Sequence, residues 1–354
     1  MRTFTLAVLP GDGIGPEVIA EAVRVLRAVE AGLAAVRFDL RPCPAGAEEY
    51  LRSGEALPEV TFAECQRCDA ILLGAMGLPH VRGPGGVELT PQIDLRERLD
   101  LYCGLRPVRL YHPSHSPLKG YGAGEIDFVL VRENTEGLFS SRKQLPAPDA
   151  DRVADTLLIT RAGAERICRA AFQQAQARRR HCTLVDKSNV LPSMAFFRRV
   201  FDAVAAEFPE VATERIYVDA AALYLVQRPH TFDVLVTENL FGDILSDLAA
   251  GLVGGMGMAP SADVGDRHAV FQPAHGTAPD IAGQGIANPV ATILSTAMLL
   301  EWLGDPETER GAARIRRAVE QVLADPANRT RDLGGDLSTR AMGERIVRAI
   351  ETGE

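Results

Sequence analysis

Cysteine is scarce in this 354-residue chain: there are six, too few for a disulfide scaffold. Tryptophan occurs once, and aromatic residues make up only 6%. Basic residues are outnumbered, with 38 Lys and Arg against 47 Asp and Glu, a net charge of −9. That balance opposes nucleic-acid binding, which needs a basic surface. It leaves room for a local basic cleft that takes a small anion. No apolar run reaches the ~18 residues a membrane span needs. The longest candidate, residues 290–303, is interrupted by Thr292, Ser295, Thr296 and Glu301. The N-terminus lacks the apolar core and small-residue cleavage site of a secretory signal. The expectation is a reduced, cytoplasmic protein with no membrane and no nucleic-acid partner.

What is present is ordinary for a globular protein: 46% hydrophobic and 24% charged residues. At roughly 150 residues per domain, the length predicts two domains. Short apolar runs alternate with helical patterns, which predicts an α/β fold. Residues 4–9, 70–73, 128–131, 183–185, 216–218 and 234–236 read as strands. Residues 162–177, 192–207, 239–252, 289–303, 308–324 and 338–351 read as helices. No flexible linker separates two halves, so a two-domain chain passes between its domains more than once.

The loop Gly11-Asp12-Gly13-Ile14-Gly15-Pro16 fails the Rossmann fingerprint G-x-G-x-x-G, because proline stands where the third glycine belongs. It reads as a tight strand-to-helix turn. Asp243 and Asp247 are one helical turn apart on one face. Two hard oxygens so placed suit Mg²⁺ or Mn²⁺, although acids near a helix start also complement its dipole. Asp219, following the apolar residues 216–218, is a candidate third carboxylate. Arg96, Arg106 and Arg132 read as standing at strand or helix ends, where guanidinium forks suit carboxylates; ordinary surface ion pairing is the alternative. Lys187, followed by Ser188 and Asn189, lies at a strand's C-terminal end, the usual ligand side of an α/β sheet. His275 to Asp280 and Gly285 to Pro289 form a Gly/Pro-punctuated loop, in which Asn288 suits a helix cap and Asp280 suits ribose hydroxyls. Cys65 and Cys68 have no second pair nearby, and residues 178–181 read as a basic helix end of structural use.

Taken together, the chain resembles the isocitrate/isopropylmalate dehydrogenases, the metal-dependent β-decarboxylating dehydrogenases. The likeness runs in order through LPGDGIGPE (9–17), LDLYCGLRP (99–107), VRENTEG (131–137), VDKSNV (185–190), NLFGDILSDL (239–248) and the segment 275–289. The resemblance implies a homodimer of two-domain α/β chains with a non-Rossmann nucleotide site. Residues 1–99 plus 253–354 would form the large cofactor domain and 100–252 the small substrate and dimerisation domain. Arg96, Arg106 and Arg132 would clamp a malate-type hydroxy diacid, with Asn189 also among its contacts. Asp219, Asp243 and Asp247 would hold Mg²⁺ or Mn²⁺, one of them reaching across the dimer. Lys187, from the other subunit, and Asp219 would serve proton removal. His275, Gly276, Thr277, Ala278, Asp280 and Asn288 would line NAD, Asp280 disfavouring a 2′-phosphate.

Two features set this chain apart within the resemblance. Thr90 and Gln92, just before the first arginine, are polar where isopropylmalate enzymes carry leucines, which points to a small or polar 3-substituent. Phe139 stands where the family carries the tyrosine that protonates the enol carbon. The leading expectation is NAD- and metal-dependent oxidation and decarboxylation of 3-isopropylmalate, isocitrate, homoisocitrate, tartrate or malate. The alternative is a catalytically weak paralogue acting as a regulatory or partner subunit.

Overall fold

The computed structural model describes residues 1–147 and 149–353. Its strands are β1 (Arg2–Gly11), β2 (Val36–Pro42), β3 (Ala70–Ala75), β4 (Cys103–Arg109), β5 (Asp127–Glu133), β6 (His181–Asp186), β7 (Ala212–Tyr217), β8 (Val234–Thr237), β9 (Pro260–Val264) and β10 (Ala269–Pro273). Its helices are α1 (Gly15–Ala31), α2 (Ala47–Ser53), α3 (Glu59–Arg67), α4 (Pro91–Arg98), α5 (Arg161–Gln176), α6 (Pro192–Ala205), α7 (Val218–Gln227), α8 (Asn239–Gly251), α9 (Val290–Trp302), α10 (Pro306–Ala324) and α11 (Thr339–Thr352).

The strands join one sheet in the order β2-β1-β3-β10-β9-β4-β5-β8-β6-β7. Strands β2, β1, β3 and β10 run parallel, and so do β5, β8, β6 and β7. Two antiparallel strands, β9 and β4, join the halves. Helices cover the sheet, so β3 is buried along its whole length, as a central parallel strand must be. One apolar cluster draws on α1, α9, α10 and α11; two others draw on residues between Cys103 and Val253. Helix α9 is buried on all sides from Val290 to Leu300, which explains its apolar sequence. No described helix is long and apolar enough to cross a membrane.

The α/β expectation holds, and so does the rejected fingerprint. The Asp12 carboxylate is fully buried and accepts the amides of Ala47 (2.7 Å), Glu48 (2.9 Å) and Gly77 (2.7 Å). The acid of this loop is thus spent on the amides at the start of α2 and on Gly77, as a structural turn requires. Several expectations need correction. Strand β7 stops at Tyr217, and Val218 opens α7, so Asp219 lies in the first turn of a helix. Helix α9 opens at Val290; Asn288 Oδ1 accepts the Val290 amide at 3.1 Å. Arg106 lies within β4 rather than at a strand end. Pro107 is tolerated there because the pairing with β9 ends at Leu105, which leaves that side without a ladder to break.

One buried group makes acid stability testable. His115 is 5% exposed, and neither ring nitrogen has a partner among the described residues. Burial, with smaller pushes from His112 and Arg329, lowers its pKa to about 4. Below pH ~6.5 the unfolded chain gains a proton that the folded one refuses, so stability falls until pH approaches the folded value, by roughly 3 kcal/mol in all. Denaturant titrations between pH 7 and 4 should find His115→Leu losing less stability than the parent by about that amount. Parallel losses would clear His115 of the effect.

Candidate active site

Strand register builds the site. Gly104 pairs with Arg132 and with Asp263, and Gln272 pairs with Ser261. Because side chains alternate along a strand, Arg106, Arg132, Asp263, Ser261 and Gln272 all face one side of the sheet. Helix α4 adds Arg96 and Gln92 above that face. Helix α8 adds Asp243, Ser246 and Asp247. All of these except the buried Asp263 line a cleft of about 260 Å³, with Met76, Ile93, Phe139 and His275 around it. The three predicted arginines and two of the three predicted aspartates therefore meet.

Two of the arginines, Arg96 and Arg106, are held by an acid that sequence reading missed. Asp263 is 1% exposed. Its oxygens accept Arg96 Nη2 and Arg106 Nη2, each at 3.0 Å, Asn134 Nδ2 at 2.8 Å and Gln272 Nε2 at 2.7 Å. Burial opposes its charge, but the two guanidinium groups win and hold its carboxyl well below the usual carboxylate range. One clue was available: an acid at an inward position of the short buried strand Pro260–Val264. An unpaired carboxylate cannot stay there.

Arg132 is 3% exposed. Its Nε and Nη2 donate to Asn239 Oδ1 at 2.9 and 2.7 Å, and Nη1 donates to Asp243 Oδ1. A Cβ on Gly242 would lie 2.6 Å from Arg132 Cγ, so only glycine lets α8 come this close. Burial, reinforced by Arg96, lowers the Arg132 pKa to about 10, which still leaves it charged at neutral pH. Its Cζ stands 5.2 Å from the centre of the Phe139 ring.

Helix α8 begins at a buried cap. Glu238 accepts the amides of Leu240 (3.1 Å) and Phe241 (2.7 Å) and so fixes the turn that aims Asp243 and Asp247. Burial, then repulsion from Asp243, raises the Asp247 pKa. Two neighbouring carboxylates that strain against each other suit a divalent cation, so the donor set fits Mg²⁺ or Mn²⁺. The predicted third acid is not brought to them within one chain. Asp219 is mostly exposed and accepts Lys187 Nζ at 2.5 Å, and neither residue lines the cleft. Asn189 is likewise exposed and away from it. No group of three His, Cys, Asp or Glu able to hold a metal occurs among the described residues. Spacing along the chain could not reveal this separation.

The substrate-side pair divides. Gln92 lines the cleft, and its Oε1 is buried with no partner among the described residues. Thr90 lies at the margin, where its Oγ1 accepts Arg142 Nη1 at 3.1 Å. The predicted cofactor loop divides too. Gly276 is exposed, with no atom within 4 Å of where a Cβ would project. Asp280 is exposed, and Ala278 takes a positive φ of 37°. His275 Nδ1–H donates to Gly276 O at 2.9 Å, leaving Nε2 buried and unpaired among the described residues. Those features fit a nucleotide. Thr277 and Asn288 instead hold the loop itself. Thr277 Oγ1 donates to Gly77 O at 2.7 Å, and Asn288 Nδ2 donates to Asp332 at 3.1 Å.

Known proteins resemble this chain along nearly its whole length. The isocitrate/isopropylmalate dehydrogenase family model matches residues 5–346. A 3-isopropylmalate dehydrogenase of Corynebacterium efficiens is 47% identical, over 98% of this chain and 99% of its own. Another, from Moorella thermoacetica, is 45% identical over 99% of this chain and 100% of its own. Among solved structures, isocitrate dehydrogenase from Methylococcus capsulatus superposes with a TM-score of 0.88 at 38% identity, covering 98% and 99% of the two chains.

Proposed function

The chain belongs to the isocitrate/isopropylmalate dehydrogenase family, and we propose on that footing that it oxidises and decarboxylates a (2R)-malate-type 2-hydroxy diacid with NAD and a divalent metal. The observation that carries this reading is the convergence of Arg96, Arg106 and Arg132 with Asp243 and Asp247 in one cleft. Preorganised guanidinium groups in a buried setting bind carboxylates strongly because little reorganisation is required. Bound beside Asp243 and Asp247, Mg²⁺ or Mn²⁺ supplies a Lewis acid for the oxygen at C2. Residues 275–280 hold NAD beside the cleft, and the exposed carboxylate of Asp280 meets ribose hydroxyls and opposes a 2′-phosphate.

Lys187 and Asp219 complete the site from a second copy of the chain in a homodimer. Their tight mutual pair keeps the lysine oriented, and once its own proton has passed to Asp219 or to water the neutral amine can accept the hydroxyl proton. The chain divides functionally into residues 1–99 plus 253–354 and residues 100–252, with the cleft between. The six cysteines are free and buried, in keeping with a reducing compartment such as the cytoplasm. The unpaired Gln92 oxygen favours a 3-substituent that is small or carries a hydrogen-bond donor, since burying an acceptor against methyl groups alone is costly. The reading as a regulatory paralogue is set aside, because the arginine clamp and the acid pair of α8 are both in place.

The test is a panel of 3-isopropylmalate, isocitrate, homoisocitrate, tartrate and malate with NAD and Mg²⁺ or Mn²⁺. NADH and CO₂ should appear together for at least one member and vanish with a chelator. A panel that yields no NADH would remove the proposal. NADH without CO₂ would confine it to oxidation.

A further inference from the structure

We propose that Arg142 is a positioning residue that fixes helix α4 against the loop carrying Phe139, and so sets where Gln92, Ile93 and Arg96 stand in the cleft. Arg142 faces α4 beside the cleft, in a hollow that it shares with Thr90, Ile93 and Phe139. Its Nε donates to Glu97 Oε1 at 2.5 Å, its Nη2 to Asp94 Oδ1 at 2.5 Å and its Nη1 to Thr90 Oγ1 at 3.1 Å. Lys143 adds a bond to Glu97 Oε2 at 2.6 Å. The Arg142 side chain is 20% exposed, so the cluster is partly shielded from water and salt.

Helical geometry gives these contacts their consequence. Residues 90, 94 and 97 are spaced by four and three, which aligns them along one stripe of the helix. Gln92, Ile93 and Arg96 belong to the stripe that lines the cleft. One guanidinium fork gripping three points of the outer stripe removes the helix's freedom to roll or slide. The inner stripe then has a single orientation. Arg96 needs that orientation most, because it is only 5% exposed and must still reach Asp263.

The loop can bear the load because its own base is anchored. Gly137 and Leu158 form a β-bridge, and Ser141 Oγ accepts the Thr156 amide at 3.0 Å. Arg142 follows directly. It therefore ties α4, early in the chain, to a segment braced from residues 156–158. Phe139 and Ile93 both line the cleft near this tie, so its loss lets the two walls separate. Lysine cannot replace the fork, since it presents a point charge to one acceptor at a time.

The inference deepens the proposed function, and its kinetic half rests on that reading. The test has two independent readouts. Hydrogen exchange on the full-length protein without substrate should be at least tenfold faster at α4 amides in Arg142→Gln, and intermediate in Arg142→Lys. With the substrate found by the panel, Arg142→Gln should raise KM for the hydroxy diacid about tenfold while KM for NAD and kcat change much less. Unchanged exchange at α4 overturns the proposal whether or not a substrate is known. Faster exchange with unchanged substrate KM reduces Arg142 to a structural tie and overturns its role in substrate positioning. If the parent turns over nothing in the panel, the functional reading fails, while the exchange experiment still decides the placement of α4.

Discussion

Asp263→Asn should destabilise the folded protein by about 3–5 kcal/mol and abolish measurable substrate binding. The substitution preserves shape and removes one negative charge. Arg96 and Arg106 would then be two buried cations 3.0 Å from an amide, with Arg132 nearby adding repulsion. Breaking a buried pair from one side costs more than the pair contributed, because the remaining charge stays desolvated. Substrate binding fails for a related reason. Two guanidinium groups on one carboxylate leave a surplus positive charge, oriented and desolvated, for an incoming anion. Without Asp263 the arginines move toward water and the preorganisation is lost.

The same residue fixes the sign of a pH effect. Its carboxyl titrates well below the usual carboxylate range in the folded state. Its contribution is complete above the unfolded value of ~3.9 and is lost as pH falls through the folded value. Denaturant midpoints at pH 7 should therefore separate parent and variant widely, and the gap should narrow below pH ~4. A variant with parental stability at pH 7 would mean that the arginines are neutralised by other groups.

How much of this was legible in the sequence depended on the range of the interaction. Asp243 and Asp247 could be paired on sight, because helical periodicity alone puts them on one face. The strand at Ala70–Ala75 was legible because burial on both sides leaves a continuous apolar run. Strands β4, β9 and β10 were not. The first is interrupted by Arg106, Pro107 and Arg109, whose pairing, and in Arg106 burial, is justified only by partners in distant segments. Asp263 was hidden for the same reason, since its four donors come from α4, β4, β10 and the end of β5. Asp219 was misjudged locally: Ile216, Tyr217 and Val218 read as one strand, yet the helix begins at Val218. That a single chain would keep Asp219 with Lys187, away from Asp243 and Asp247, is a tertiary fact with no local signature.

Phe139→Tyr should raise the rate of complete turnover by ~10² or more. Phe139 lines the cleft with its ring beside Arg132, the position at which the resemblance puts a proton-donating tyrosine. The variant adds one hydroxyl to a ring that is already placed, so the fold is not disturbed. The neighbouring guanidinium favours the phenolate and brings its pKa toward the working range, which is what a general acid needs. In the parent, Phe139 has no proton to give to the carbon that CO₂ leaves, and water is the expected source. That step then limits the cycle, and the parent should show a solvent deuterium effect on kcat that shrinks in Phe139→Tyr. The variant should also gain an alkaline limb in its pH–rate profile, absent from the parent, as the new phenol loses its proton. Equal kcat, equal solvent effects and superimposable profiles would mean that protonation was never slow. The missing hydroxyl would then mark a substrate whose product needs no proton at that carbon, and NADH formation without CO₂ in the panel would be its companion result.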